Sequence, residues 1–275
     1  MGNRTWWVGA VALAIVGAGL GGGAKADVVG LIDFESFSDG SPNGQFGWSS
    51  LGSAGSGCAL YDHQIVSHSV EPYPGFGLKS LRMSNAVTSG CFGDHTFSVS
   101  ALEEAGETEA EGDGMSGGTR QEHFMAEWDF ASADADDYQE GLSVVASPDR
   151  GDGARMSWIQ MQDTPDGLAV TSESAPGHDF VFRPLVSGLD REIKHTIKVE
   201  MTFKDGAHDD KVKVYVDGKL VGVGGSWEDY FREGEGNPSR TVDSILFRTG
   251  GRAQDAVPEL LGRGFLIDNL RIETY

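Results

Sequence analysis

The sequence predicts an all-β protein, a two-sheet antiparallel β-sandwich. Three observations point there. Short apolar runs alternate with polar residues at period two, the mark of half-buried strands. Glycine is abundant, at 40 of 275 residues, and Asp-Gly or Asn-Gly pairs stand at 39–40, 43–44, 166–167, 205–206 and 217–218. No segment carries a convincing amphipathic-helix pattern.

Taken in order, residues 1–26 read as a leader. MGNR is a short basic start, residues 6–20 (WWVGAVALAIVGAGL) are apolar, and GGGAKA offers a small-residue cleavage site before Asp27. The segment is too short and glycine-rich for a spanning helix and lacks a twin arginine, so a Sec-type signal peptide with cleavage near Ala26/Asp27 is expected. That predicts a secreted or periplasmic protein whose residues 27–275 form one β-sandwich domain. No later apolar run is long enough to span a bilayer, so no membrane insertion is expected.

The expected strands are VVGLIDFE, KSLRMSN, EHFMAEWDF, GLSVVAS, ARMSWIQM, GLAVTSE, DFVFRPL, REIKHTIKVEMTF, KVKVYVDG, KLVGVG, DSILFRTG and GFLIDNLRI. Alternation on both sides of Asp217-Gly218 predicts a type I′ hairpin, because both turn residues must reach positive φ. In HFMAEWDF the core set is Phe124, Ala126, Trp128 and Phe130, which turns His123, Glu127 and Asp129 to the opposite face. In the longest run Ile193, His195, Ile197, Val199, Met201 and Phe203 share the buried face. In ARMSWIQM, Trp158 and Gln160 share one face with Gln162, and Arg155 falls on the other.

Composition narrows the function. The formal net charge is −21, and loss of the leader removes Arg4 and Lys25 but no acid. Such a field repels nucleic acid, anionic membranes and polyanionic glycans unless a local Arg/Lys patch overrides it. Neutral glycans and divalent cations remain compatible. Cys58 and Cys91 are expected to pair in an oxidising compartment, for roughly 3–4 kcal/mol in the chain-entropy model. The acidic run 103–114 reads as a solvated loop.

KVYVDGKLVGVGGSW, DSILFRTGG and GFLIDNLRI together resemble the back half of laminin-G-like jelly rolls of the concanavalin A-like lectin/glucanase superfamily. DFESFSDGSPNGQFGW resembles the first strand and turn of secreted jelly-roll domains, carbohydrate-binding modules among them. The resemblance specifies a fold that hosts lectins, glycosidases, lyases and adhesion modules, so function rests on the site. It implies first and last strands lying side by side, with a structural calcium ligated by Glu35 and Asp268 and with Asp33 as a substitute. The plain alternative is a hydrogen bond from Asp268 or Asn269 to neighbouring backbone.

Carboxylates on one strand face suggest glycoside hydrolysis, and Glu127 and Asp129 lie about 6.5–7 Å apart on one face. The glycosidases of the superfamily place a third carboxylate on that strand as general acid, and it is missing here. The lyases use Arg-, Gln- and His-bearing strands with a Tyr base, and Gln160 has no accompanying His. Sugar binding asks for less: CH faces to stack on aromatics and hydroxyls to pair with carboxylates, amides and guanidinium groups. Trp158 and Gln160, joined by His123, Glu127, Asp129 and Arg248, would supply this if their strands are neighbours. The expectation is therefore a glycan-binding domain without catalysis; the alternatives are a polysaccharide hydrolase or lyase using Glu127 and Asp129, and an envelope structural or adhesion module with a protein partner.

Overall fold

A computed structural model describes residues 27–51, 61–88, 95–97, 122–149, 155–175, 179–204, 206–234, 242, 244–249 and 256–275. The leader, Cys58, Cys91 and the acidic run 103–114 lie outside the described residues. The described strands are β1 (Asp27–Ile32), β2 (Ser49–Leu51), β3 (Tyr61–Ser67), β4 (Lys79–Thr88), β5 (His95–Phe97), β6 (His123–Ser132), β7 (Ser143–Asp149), β8 (Trp158–Thr164), β9 (Gly167–Ser174), β10 (Val181–Leu189), β11 (His195–Thr202), β12 (Lys211–Val216), β13 (Lys219–Gly224), β14 (Ser244–Arg248) and β15 (Phe265–Thr274), with one short helix α1 (Glu228–Gly234). Strands β2, β3 and β5 and the helix go beyond the sequence expectation. Their periodic signal is too short, or too interrupted by Ser, Gly and His, to stand out from loop.

Two antiparallel sheets form a jelly-roll β-sandwich. The first runs β13-β12-β11-β6-β15-β4-β3, with β1 paired to β15; the second runs β10-β9-β8-β7-β14-β5-β2. The first and last strands do lie side by side, Asp27 opposite Thr274 and Ile32 opposite Leu270. Between the sheets, Phe124, Trp128 and Phe130 of β6 and Ile197 and Val199 of β11 meet Val144, Ile159, Met161 and Phe247 from the second sheet. Trp128 and Phe247 cross the interface edge to face, with centroids 6.0 Å apart.

The expected alternation in β6 and β11 holds, except that Ile193 is 50% exposed, because β11 starts only at His195. Asp217 (φ 49°) and Gly218 (φ 73°) make the expected hairpin turn. β15 departs from simple alternation at one place. Ile267, Leu270 and Ile272 all reach the core, which requires one extra residue between the first two. Asn269 is that residue. It sits at φ 53°, and the register against β6 shifts between Asp268 and Arg271. This is a β-bulge, and asparagine tolerates its left-handed backbone better than a branched residue would.

Candidate functional site

Each sheet has an outer face, and the predicted site residues divide between them. His123, Glu127 and Asp129 stand on β6, opposite Thr202, Lys198 and Thr196 of β11, on the outer face of the first sheet. Trp158 and Gln160 stand on β8, and Arg248 on β14, in the second sheet. The two sets are separated by the whole hydrophobic core, so the six residues do not converge. The reason is that β6 pairs with β11 and β15, whereas β8 pairs with β7 and β9.

On the first sheet, Asp129 is fully engaged. Lys194 Nζ lies 2.5 Å from its Oδ2, Thr196 Oγ1 donates to Oδ1 at 2.5 Å, and Asn269 Nδ2 donates to Oδ2 at 2.9 Å. Only 5% of the residue is exposed. A carboxylate held by three donors is a poor nucleophile or base. Of the catalytic candidates Glu127 and Asp129, Asp129 is therefore held in a structural role in this geometry.

The same face holds the two predicted metal ligands. Asp268 lies opposite Asp129 and is 0% exposed, because segment 71–78 folds over it, with Tyr73 and Phe76 buried on Ala131 and Leu266. Its Oδ2 accepts the Gly77 N–H at 3.2 Å and its Oδ1 accepts the Asn269 N–H at 2.8 Å. Burial pushes the Asp268 carboxyl up to about 7; the two N–H donors oppose this, and Asp33 and Asp129 add to it. Glu35 Oε1 accepts the Lys79 N–H at 2.9 Å, and a Cβ on Gly77 would stand 1.9 Å from that oxygen. The two carboxylates thus flank one glycine, whose missing side chain makes room for Glu35. No group of three His, Cys, Asp or Glu residues among the described residues has a metal-binding arrangement. A cation here would depend on these two carboxylates and backbone oxygens. The hydrogen-bonding alternative is realised in part: Asn269 Nδ2 donates to the Gly75 carbonyl at 2.6 Å.

The second sheet gathers a different set. Pairing registers align Phe182, Glu173 and Trp158 in one row across β10, β9 and β8. The next row carries Pro184, Thr171, Gln160, Val145 and Arg248 from β10 to β14. Ile159 and Met161 point into the core, so Trp158, Gln160 and Gln162 face outward. Gln160 Nε2 donates to Ser143 Oγ at 2.7 Å. The Arg248 guanidinium lies over the Trp158 ring at 5.6 Å, and the Arg155 guanidinium lies over the same ring at 5.3 Å. Trp227, from the turn before α1, stacks on Trp158 at 5.9 Å and 7° and donates its indole N–H to the Glu173 carbonyl at 3.1 Å.

Arg155 corrects the sequence reading, which put it on the opposite face from Trp158. β8 begins at Trp158, and Arg155 forms an isolated bridge with Asp149 instead. Strand alternation does not extend back to it, so its side chain comes round onto the Trp158 ring. Arg155 is 8% exposed, Arg248 4%, Glu173 7% and Asp149 0%. Burial pushes Arg155 down from its ordinary value, while Asp149 and Glu173 pull it back up; burial raises Glu173, and Arg155 opposes the rise. The arrangement is two guanidinium groups and two carboxylates set around stacked indoles, with an amide alongside. It provides donors and acceptors for vicinal hydroxyls. Trp227 and the guanidinium groups take up much of the Trp158 ring, which makes Trp158 a brace for the arginines more than a free stacking surface.

No protein-family model and no curated protein matches the chain. Among solved structures, an alginate lyase in complex with an alginate tetrasaccharide is similar at a TM-score of 0.49 and 12% identity, over 90% of this chain and 96% of that one. An endo-β-1,4-glucuronan lyase from the fungus Trichoderma reesei is similar at a TM-score of 0.43 and 17% identity, over 86% and 94%. A sheep galectin-11 bound to glycerol is similar at a TM-score of 0.31 and 8% identity, over 55% and 90%. At such scores and identities these likenesses specify neither substrate nor chemistry.

Proposed function

We propose that this is an exported glycan-binding domain that holds a carbohydrate on the outer face of its second sheet, without chemistry of its own. The single observation that carries the reading is the set Arg155, Trp158, Gln160, Glu173 and Arg248, which assembles charged and amide groups around stacked indoles. Guanidinium, carboxylate and amide groups gathered on one sheet face are the donor and acceptor types that directional recognition of sugar hydroxyls uses. The two arginines are balanced by Asp149 and Glu173, so the site is not a basic patch in a chain of net charge −21: neutral glycans suit it first, and acidic ones would rely on the guanidinium contacts alone. Both neutral and acidic glycans therefore belong in the test. Pull-down on β-1,3-glucan, β-1,4-glucan, xylan and polyuronate, followed by calorimetry, should find a retained polysaccharide whose binding is lost in Trp158→Ala and Arg248→Gln. Folded wild-type protein retained by none of them would contradict the proposal. Incubation with the same polymers should release neither reducing ends nor an unsaturated product absorbing in the ultraviolet; turnover would make the protein an enzyme.

We further infer that Glu35 and Asp268 hold a structural calcium between the chain ends. Support comes from their convergence on Gly77 and from the burial of a carboxyl that gains by charge neutralisation. The melting temperature should rise in calcium and fall in chelator, with no difference in Glu35→Gln or Asp268→Ala. An unchanged wild-type melting temperature would remove the ion. Export itself is tested by N-terminal sequencing of protein secreted from a Sec-competent host, with Asp27 expected as the first residue.

A further inference from the structure

The ring best placed to stack on a sugar is not Trp158 but one at the sheet edge. Phe182 lies on β10, the edge strand of the second sheet, and is 61% exposed. Its register partner is Glu173, whose partner is Trp158. Residues directly opposite one another in an antiparallel pair project to the same face. Phe182, Glu173 and Trp158 therefore form one row running across the strands on the outer face. With strands spaced 4.7–4.9 Å, Phe182 stands about 10 Å from Trp158, the length of two linked sugar rings. Phe180, 41% exposed, lies beside it, with its ring centroid 4.7 Å from Trp227 and 5.0 Å from Tyr230. Aromatic surface thus continues from the buried indoles to solvent in the direction that crosses the sheet.

Two features argue that this edge is not spare strand. β10 carries Pro184 and shifts register twice, between Pro184 and Val186 and between Val186 and Leu189, which suits it poorly to pairing with another strand. Its neighbour across the sandwich edge is already held, since Arg183 Nη1 donates to the Val223 carbonyl of β13 at 3.3 Å. A large ring with most of its surface in water, in register with a polar recognition row, has apolar area to offer a ligand.

Resting on the glycan-binding reading, we propose that Phe182 is a second, distal aromatic subsite. The ligand is then an oligosaccharide chain laid across the strands: one ring is held by hydrogen bonds to Arg248, Gln160 and Glu173, and a ring two units along stacks on Phe182. Affinity should depend on chain length, and the dependence should reside in Phe182.

The test is calorimetry with oligomers of two to six residues prepared from whichever of the four polysaccharides is retained, using wild type, Phe182→Ala, Phe182→Trp and Trp158→Ala. Wild type should gain roughly fivefold in affinity between dimer and tetramer, in keeping with one stacking contact. Phe182→Ala should keep the dimer affinity and lose that gain, and Phe182→Trp should restore it. Trp158→Ala should weaken every length alike. If wild type binds no oligomer or polymer, the glycan-binding reading itself falls. If wild type binds and Phe182→Ala keeps the full length dependence, only the distal subsite falls. Sedimentation covers the other occupant: a wild-type dimer that Phe182→Ala converts to monomer would assign the ring to self-association and overturn the proposal.

Discussion

The two outer faces of the sandwich carry similar residue types to different ends. Along β11 and β12 of the first sheet the charges sit in water beside opposite charges. Lys198 Nζ lies 2.7 Å from Glu200, with side chains 30% and 35% exposed, and Tyr215 donates its hydroxyl to the same carboxylate at 2.9 Å. Such pairs cost little and contribute little. On the second sheet, Arg155, Arg248, Asp149 and Glu173 are all at most 8% exposed and collect around indoles. Burial makes the same ion types expensive, so they persist there only in a fixed arrangement with other groups. The lesson is that residue type on a strand face says less about function than how far the face is withdrawn from solvent.

The comparison can be strained at several points, in descending order of expected effect. Asp62 and Arg82, like Asp129 and Asp268, are withdrawn from water on the first sheet: they form a buried bidentate pair with contacts of 2.5 and 2.7 Å, to which Ser84 adds a hydrogen bond at 2.6 Å. Burial raises the Asp62 carboxyl, but the hydrogen bonds from Arg82 and Ser84 outweigh it and the result is a lowered value. Arg82→Met strands that carboxylate and should cost about 3–5 kcal/mol in chemical denaturation, with glycan affinity unchanged when measured below the transition. Next, Trp158→Ala frees both guanidinium groups and removes an anchor, and should weaken glycan binding by roughly 30-fold or more in calorimetry. Third, Asp268 titrates from about 7 when folded toward an ordinary carboxyl value when unfolded. A raised folded value favours the folded state at low pH and loses that advantage as pH rises through about 7. In chelator, the stability of wild type relative to Asp268→Asn should therefore increase by ~2 kcal/mol between pH 8 and pH 5. Smallest of all, Lys198→Ala should change stability by less than about 0.5 kcal/mol and leave binding untouched.

Much of this was legible in the sequence, and the failures have physical causes. Alternation gave the core sets of β6 and β11, and Asp217-Gly218 gave the hairpin, because both are local properties of the chain. The jelly-roll resemblance pointed to β1 beside β15. What alternation leaves open is which strands become neighbours: it fixes the face of Glu127 and of Trp158, each on its own strand, but pairing is non-local and put them in different sheets. Arg155 was misplaced because the period was carried three residues beyond the true start of β8. Phe182 had a readable signal in Pro184 two residues on, which marks an edge strand. The sequence presents Asn269 as a hydrogen-bonding residue, and it does donate to the Gly75 carbonyl; alternation does not show that it is also the bulge that brings Leu270 back to the core.

The central claim is that function lies on the second sheet and not the first. One side-by-side calorimetric titration of Arg248→Gln and Glu127→Gln with the retained polysaccharide tests it most directly. Arg248→Gln should bind roughly tenfold more weakly or worse, through loss of a charged hydrogen-bonding partner, and Glu127→Gln should keep wild-type affinity. The reverse pattern would move the site to the other face and contradict it.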